Sequence, residues 1–148
     1  MRFYLALDLG TTGVKAALFD ESGALLSQVA REQRLIFPAE GFVEQQPSAW
    51  YELPCELIRE LLKSTGTAPK DVSAIGISSQ GISLVPVDHL LQPLSDAICW
   101  LDARAGEELD EILSVFPRER LMEITGKRAA RAYTLPKILW LKKRRPEL

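Results

Sequence analysis

The chain is poor in the features that mark several protein classes. Among its 148 residues there are two cysteines, Cys55 and Cys99, and one histidine, His89. Two cysteines outside any CxxC pair make neither a disulfide framework nor a zinc site. Net charge is small, −2 at neutral pH, so there is no electrostatic case for nucleic acid or an anionic membrane as the main partner. The longest apolar runs fall well short of a membrane span. The opening "MRFYLALDLG" has an apolar stretch too short for a secretory signal, and Asp8 breaks it. Internal repeats and low-complexity segments are absent. A cytoplasmic protein is the expectation. The composition, 47% hydrophobic and 26% charged, suits one ordinary globular core.

The order of patterns predicts an α/β layout. Phe3, Leu5 and Leu7 alternate with Tyr4, Ala6 and Asp8, the period of a strand. Gly13–Phe19 reads as a second strand, Asp20–Gly23 as a turn and Ala24–Arg34 as a third strand, giving three antiparallel strands in succession. Phe37–Pro47 reads as loop. A helix capped by Ser48 is expected to run to about Ser64, with Gly66 just beyond it and Leu53, Leu57, Ile58, Leu61 and Leu62 on one face. Pro54 predicts a kink there or a late start. Val72–Ser78, Ser83–Asp88 and Ala97–Trp100 read as strands, and helices are expected over Arg104–Val115, Arg118–Ile124 and Leu135–Arg144. The basic run Lys142–Arg145 closes the last helix, where cations oppose the dipole.

The most informative stretch is "LDLGTTGVK", Leu7–Lys15. A plain hairpin has no need of an acid, two hydroxyls and a following lysine. Gly10 and Gly13 permit tight, positive-φ geometry and close approach of a ligand to the backbone. The amides of Gly10, Thr11 and Thr12 can form a nest of donors for phosphate oxygens, and Lys15 can add a point charge. Asp8 suits magnesium held through water, since that ion keeps much of its hydration shell. An acid beside a phosphate nest makes sense with a cation between them, which is the equipment of phosphoryl transfer. GxxxxGK[ST] is absent, so this is not a P-loop. A decorated hairpin turn is the alternative that the nine residues leave open.

Five segments in register resemble the FGGY carbohydrate kinases, of the sugar kinase, Hsp70 and actin superfamily: "DLGTTGVKAALFD", "GFVEQQPSAWYE", "IGISSQGISLVPVD", "AICWLDARA" and "ITGKRAARAYTLPKILWLKKRRPE". The last looks very like the same segment of xylulokinases, down to the Pro-Lys before Leu-Trp. The resemblance implies a ribonuclease H-like α/β fold, with a mixed sheet opened by the three antiparallel strands and flanked by helices. It implies ATP-dependent phosphorylation of a small-molecule sugar or polyol, with Mg2+ near Asp8 and the transferred phosphate held by Gly10, Thr11, Thr12 and Lys15. It places Gln80, Gly81, Ile82, Trp100 and Asp102 at the sugar. It also implies that residues 1–148 are the front part of the first kinase domain. The family's catalytic Asp and its nucleotide-binding second domain would then lie in the rest of the kinase chain, leaving this piece inactive alone, and the full enzyme could be a homodimer.

Departures from the pattern bear on the substrate. Xylulokinases typically carry Met-His after the Gln and glycerol kinases Arg-Glu, where this chain has Gly81-Ile82. Both replacements remove polar atoms that would bind hydroxyls, which argues against xylulose and more strongly against glycerol. Local alternatives stay open as well. Trp100 can be core, Asp102 can pair with Arg104 or cap the next helix, and Gln80 can complete a turn. A nucleotide-binding module without a sugar site and a non-catalytic scaffold are the competing readings of the whole.

Overall fold

The computed structural model describes residues 2–148. Ten regular elements follow one another: β1 (Phe3–Leu9), β2 (Gly13–Asp20), β3 (Leu25–Glu32), β4 (Glu44–Gln45), α1 (Ala49–Thr65), β5 (Val72–Ser79), β6 (Ala97–Ile98), α2 (Gly106–Val115), α3 (Arg118–Thr125) and α4 (Thr134–Arg144), with a short 3-10 turn at Pro69–Asp71. They divide into two compact units, Met1–Leu35 with Gln46–Gln80 and Ile36–Gln45 with Gly81–Leu148.

The first unit is a four-stranded sheet in the order β3-β2-β1-β5 with α1 on one face. β1 and β2, then β2 and β3, pair antiparallel as the alternation predicted, while β5 returns parallel to β1. The inward positions Leu5, Leu7, Val14, Ala16 and Leu18 meet Leu57 and Leu61 of α1, and Leu53 and Ile58 pack at the margin of this core. Side chains on the other sheet face are small or polar, among them Ala6, Asp8, Lys15, Ala17, Gln28 and Ser78. Ile75 and Ile77 share the core face with Leu5 and Leu7 but remain half exposed at the edge of the sheet.

Four expectations need correction. Phe37–Pro47 is not all loop, since Glu44 and Gln45 form β4, held by its antiparallel pairing with β6. Pro54 does not bring the late start: the helix begins at Ala49 and runs to Thr65 with Pro54 buried inside. The apolar face that α1 buries on the sheet outweighs the hydrogen bond that proline removes. Ser48 does sit at the N-cap, yet its own backbone is already helical (φ −59°, ψ −34°) and its hydroxyl caps nothing. From that conformation the side chain does not meet the first amides. The C-terminal end is as expected, with Gly66 at φ 67°, the left-handed stop that glycine takes without strain. Ser83–Asp88 is not a strand. Only single bridges form there, Leu84 with Ile98 and Val87 with Pro93, because Pro86 lacks the amide a ladder needs.

The second unit is built around a two-stranded pairing of β4 with β6 and the helices α2 and α4. Its interior is unusually polar. Beside Ala97, Ile98, Cys99 and Ala105, it buries Asp102, Glu108 and Lys137. α2 and α4 are also joined at the surface by Lys143 to Glu111 and Arg144 to Glu107. Among the described residues, no helix is long and apolar enough to cross a membrane.

Candidate functional site

The boundary between the units falls between Gln80 and Gly81. The expected phosphate residues and Gln80 therefore belong to the first unit, and Gly81, Ile82, Trp100 and Asp102 to the second.

In the first unit the loop Gly10–Thr12 joins β1 to β2 and is tied at both sides. Thr12 accepts a hydrogen bond from the Gln33 amide (3.0 Å), and Leu9 accepts one from the Gln80 amide (3.0 Å). Gly10 and Gly13 are required by space and not, as expected, by positive φ, since neither lies in the left-handed region. A Cβ on Gly10 would stand 2.9 Å from the Gly13 carbonyl oxygen, and one on Gly13 would stand 3.1 Å from that of Arg31. At Gly10 the loop closes on its own backbone too tightly for a side chain, while at Gly13 the fit against β3 is tight.

Asp8 and Lys15 are register partners across the hairpin, and Ser78 of β5 flanks Asp8 on the other side. All three open onto a cleft of about 690 Å³ on the sheet face opposite α1, whose wall also includes Gln28. That volume is in the range at which small ligands bind. Both charged side chains are exposed, so the charges are presented to solvent from a rigid sheet. Among the described residues no three His, Cys, Asp or Glu side chains cluster as a metal site. A lone exposed carboxylate suits magnesium better than most cations, because that ion is completed by water and by the phosphates of its substrate. Ser78 and Gln28 escaped the sequence reading. Ser78 was read as the end of a strand, but nothing local revealed that this strand would lie parallel to β1.

The second unit joins three of the quoted segments in one polar cluster. Asp102, 1% exposed, accepts the Val43 amide at Oδ2 (2.6 Å) and the Arg104 amide at Oδ1 (2.9 Å). Its carboxylate also receives Nε and Nη2 of Arg104, the latter at 2.8 Å. Arg104 reaches Glu44 as well (2.6 Å). Its guanidinium lies 4.0 Å from the Phe42 ring centroid and 4.9 Å from that of Trp140, and the two rings meet edge to face. "GFVEQ", "WLDAR" and the "LW" of α4 thus hold one another. Asp102 does pair locally with Arg104, and both of its oxygens accept hydrogen bonds within the fold. Trp140 packs against Phe42 and Arg104.

Trp100 is 39% exposed and so is not a core residue. Ile82, 37% exposed, has its backbone in the left-handed region at φ 52°, a strained place for a β-branched residue. Behind them stands Lys137 on the first turn of α4. It is fully buried, and its Nζ donates to the carbonyl oxygens of Cys99 (2.7 Å) and Ile82 (3.3 Å). Burial pulls its ammonium below the ordinary lysine value, and the attraction of Asp102 opposes that. The sequence reading missed this lysine. A lysine in an amphipathic helix reads as surface, and the Pro-Lys of the quoted segment was the only signal. A second, apolar groove of about 260 Å³ runs between α2, α3 and the residues leading into α4, with Ile82, Leu109, Ile112, Leu121 and Tyr133 in its wall. Its lining is unlike that of a sugar site.

Residues 3–148 match the FGGY family of carbohydrate kinases, N-terminal domain. The chain belongs to this family. It is 33% identical to a xylulose kinase of Bacillus subtilis (strain 168) over 148 residues, all of this chain and 30% of that one. It is 36% identical to a glycerol kinase of Methylorubrum extorquens (strain PA1) over 137 residues, 92% of this chain and 27% of that one. Among solved structures, the ligand-bound xylulose kinase of Lactobacillus acidophilus superposes with a TM-score of 0.89 at 25% identity, over 99% of this chain and 29% of that one. The sugar kinase α/β fold, with its mixed sheet, is therefore the fold of this FGGY chain. The chain spans about 30% of the length of these relatives.

Proposed function

We propose that the protein carrying this FGGY segment transfers the γ-phosphoryl group of ATP to a hydroxyl of a sugar or polyol, in the cytoplasm. The observation that carries this reading is the first hairpin. A turn closed too tightly for any residue but glycine sits between an exposed Asp8 and an exposed Lys15 that open on one cleft. Phosphoryl transfer demands positioning and charge stabilisation more than covalent chemistry. The amides of Gly10, Thr11 and Thr12 and the Lys15 ammonium act on the oxygens of the transferred group, where negative charge must be held. Asp8 would hold magnesium, which when bound supplies a positive charge between phosphate oxygens. Gln80, Gly81, Ile82 and Trp100 serve the acceptor, with Asp102 fixing the backbone behind Trp100.

The general base is not among these residues. An acceptor hydroxyl needs a carboxylate within reach, and Asp8 is engaged with the metal. Residues 1–148 alone are therefore inactive, and the base and the adenine site come from the remainder of the kinase chain. Purified residues 1–148 should release no acceptor-dependent ADP. The relatives include xylulose and glycerol kinases, and a gluconate kinase of Lactobacillus acidophilus shares the fold at 25% identity. Gly81-Ile82 offers fewer polar atoms to hydroxyls than the pairs in xylulokinases or glycerol kinases, so a different sugar, polyol or aldonate is the expected acceptor. A coupled ATP-to-ADP assay of the full-length protein over a panel of ketoses, polyols and aldonates tests this. Turnover with one of them identifies the substrate. Folded protein that binds nucleotide yet turns over none is a scaffold and not a kinase.

A further inference from the structure

Lys137 is costly where it stands. Its charge is removed from water and lies on the first turn of α4, where the helix dipole already presents positive charge. An apolar residue of similar length would fill that space without either penalty. What the ammonium does there is hold two carbonyl groups from distant segments, Ile82 and Cys99. Cys99 directly precedes Trp100, and its carbonyl also receives the Asp102 amide (3.1 Å). Ile82 itself is held at φ 52°. In both segments the backbone is clamped from inside while the side chains of Ile82 and Trp100 stay more than a third exposed. Cys99 is itself buried, so the clamp anchors in the core and acts on the exposed Trp100 that follows it and on Ile82 directly.

We propose that Lys137 is the positioning residue of the acceptor wall: by clamping the Ile82 and Cys99 carbonyls it sets how Ile82 and Trp100 are presented, and so which acceptors are selected. This deepens the kinase reading and rests on it for the word acceptor. The clamp itself does not depend on that reading.

The test uses the full-length protein as wild type, Lys137→Met and Lys137→Gln, with two readouts: amide hydrogen exchange, and initial rates with acceptor and ATP varied separately. In Lys137→Met, exchange is expected to quicken at residues 81–83 and 99–101 ahead of the rest of their unit. The KM for the acceptor should rise by about tenfold or more, the scale of a misplaced positioning contact, with the KM for ATP unchanged and the ranking of acceptors flattened. Lys137→Gln leaves the Ile82 and Trp100 side chains intact and keeps a neutral donor too short to bridge both carbonyls, and should reproduce the acceptor effects in weaker form. Should Lys137→Met fail to fold, Lys137→Gln decides alone, and wild-type acceptor KM and ranking in it overturn the proposal. A folded Lys137→Met with wild-type acceptor kinetics also overturns it. If the wild type phosphorylates no sugar or polyol, the kinase reading fails by itself. Exchange then still decides the clamp, which unaltered rates at 81–83 and 99–101 in Lys137→Met overturn.

Discussion

Asp8 and Asp102 enter the sequence in similar settings, each beside a strand and each with a basic residue close by, Lys15 and Arg104. The two units use them in opposite ways. In the first unit the backbone holds the charges. A four-stranded sheet and a glycine turn, packed on α1, present Asp8 and Lys15 to solvent with their charges unspent. In the second unit the charges hold the backbone. Asp102, Arg104 and Lys137 are buried and spend their hydrogen bonds on Val43, Cys99 and Ile82, and what they leave exposed is Ile82 and Trp100. The same residue types thus stay exposed and uncommitted where the scaffold is apolar, and serve as scaffold where the exposed side chains are apolar.

Breaking this contrast should have its largest effect in the second unit. Asp102→Asn takes from the buried Arg104 one of its two carboxylate partners and leaves Glu44, and should cost about 3 kcal/mol in urea unfolding, the low end for breaking a buried pair. The effect on any ATP-side constant should be small. Next comes Gly10→Ala. Its Cβ meets a backbone oxygen that cannot step aside, which should cost about 1–3 kcal/mol of stability and disrupt phosphate binding together. Lys15→Ala should leave the unfolding midpoint in place and raise the KM for ATP of the full-length protein about tenfold, the loss of one charge-assisted hydrogen bond of about 1.5 kcal/mol. The smallest effect belongs to a turn that serves neither site. The Ser22 hydroxyl, then the amide of Ala24, hold the Asp20 carboxyl below its ordinary value of 3.8. A lowered pKa means that the stabilisation is present above the unfolded value and lost as pH falls through the folded one. Asp20→Asn should therefore lose a little stability at neutral pH, and the difference from wild type should vanish in strong acid. An NMR titration of Asp20 checks the direction.

The first unit was the more legible of the two, for a physical reason. Its strands alternate, its helix carries one apolar face and Gly66 ends that helix, so local pattern and tertiary packing agree. The loop Gly10–Thr12 stood out because its residue types have no role in a plain turn. What escaped there were consequences of packing, namely the start of the helix ahead of Pro54 and the parallel partner of β1. In the second unit the residues that matter are far apart in sequence. Lys137 lies 55 residues from Ile82 and 38 from Cys99, and no periodicity links a helix lysine to two loop carbonyls. Asp102 and Arg104 could be paired locally on paper. Their enclosure by Phe42, Val43, Glu44 and Trp140 could not, since burial of a charge is decided by the fold around it.

The central claim is that the first hairpin is a phosphate-transfer loop and not a decorated turn, and Asp8→Ala in the full-length protein tests it most directly. Acceptor-dependent ADP release should fall by at least about 10²-fold, the scale of losing a charge-stabilising group at the reacting phosphate, with the urea midpoint unchanged because Asp8 is exposed. Wild-type turnover in the folded variant would contradict the account, as would a loss of activity that merely follows a loss of folded protein.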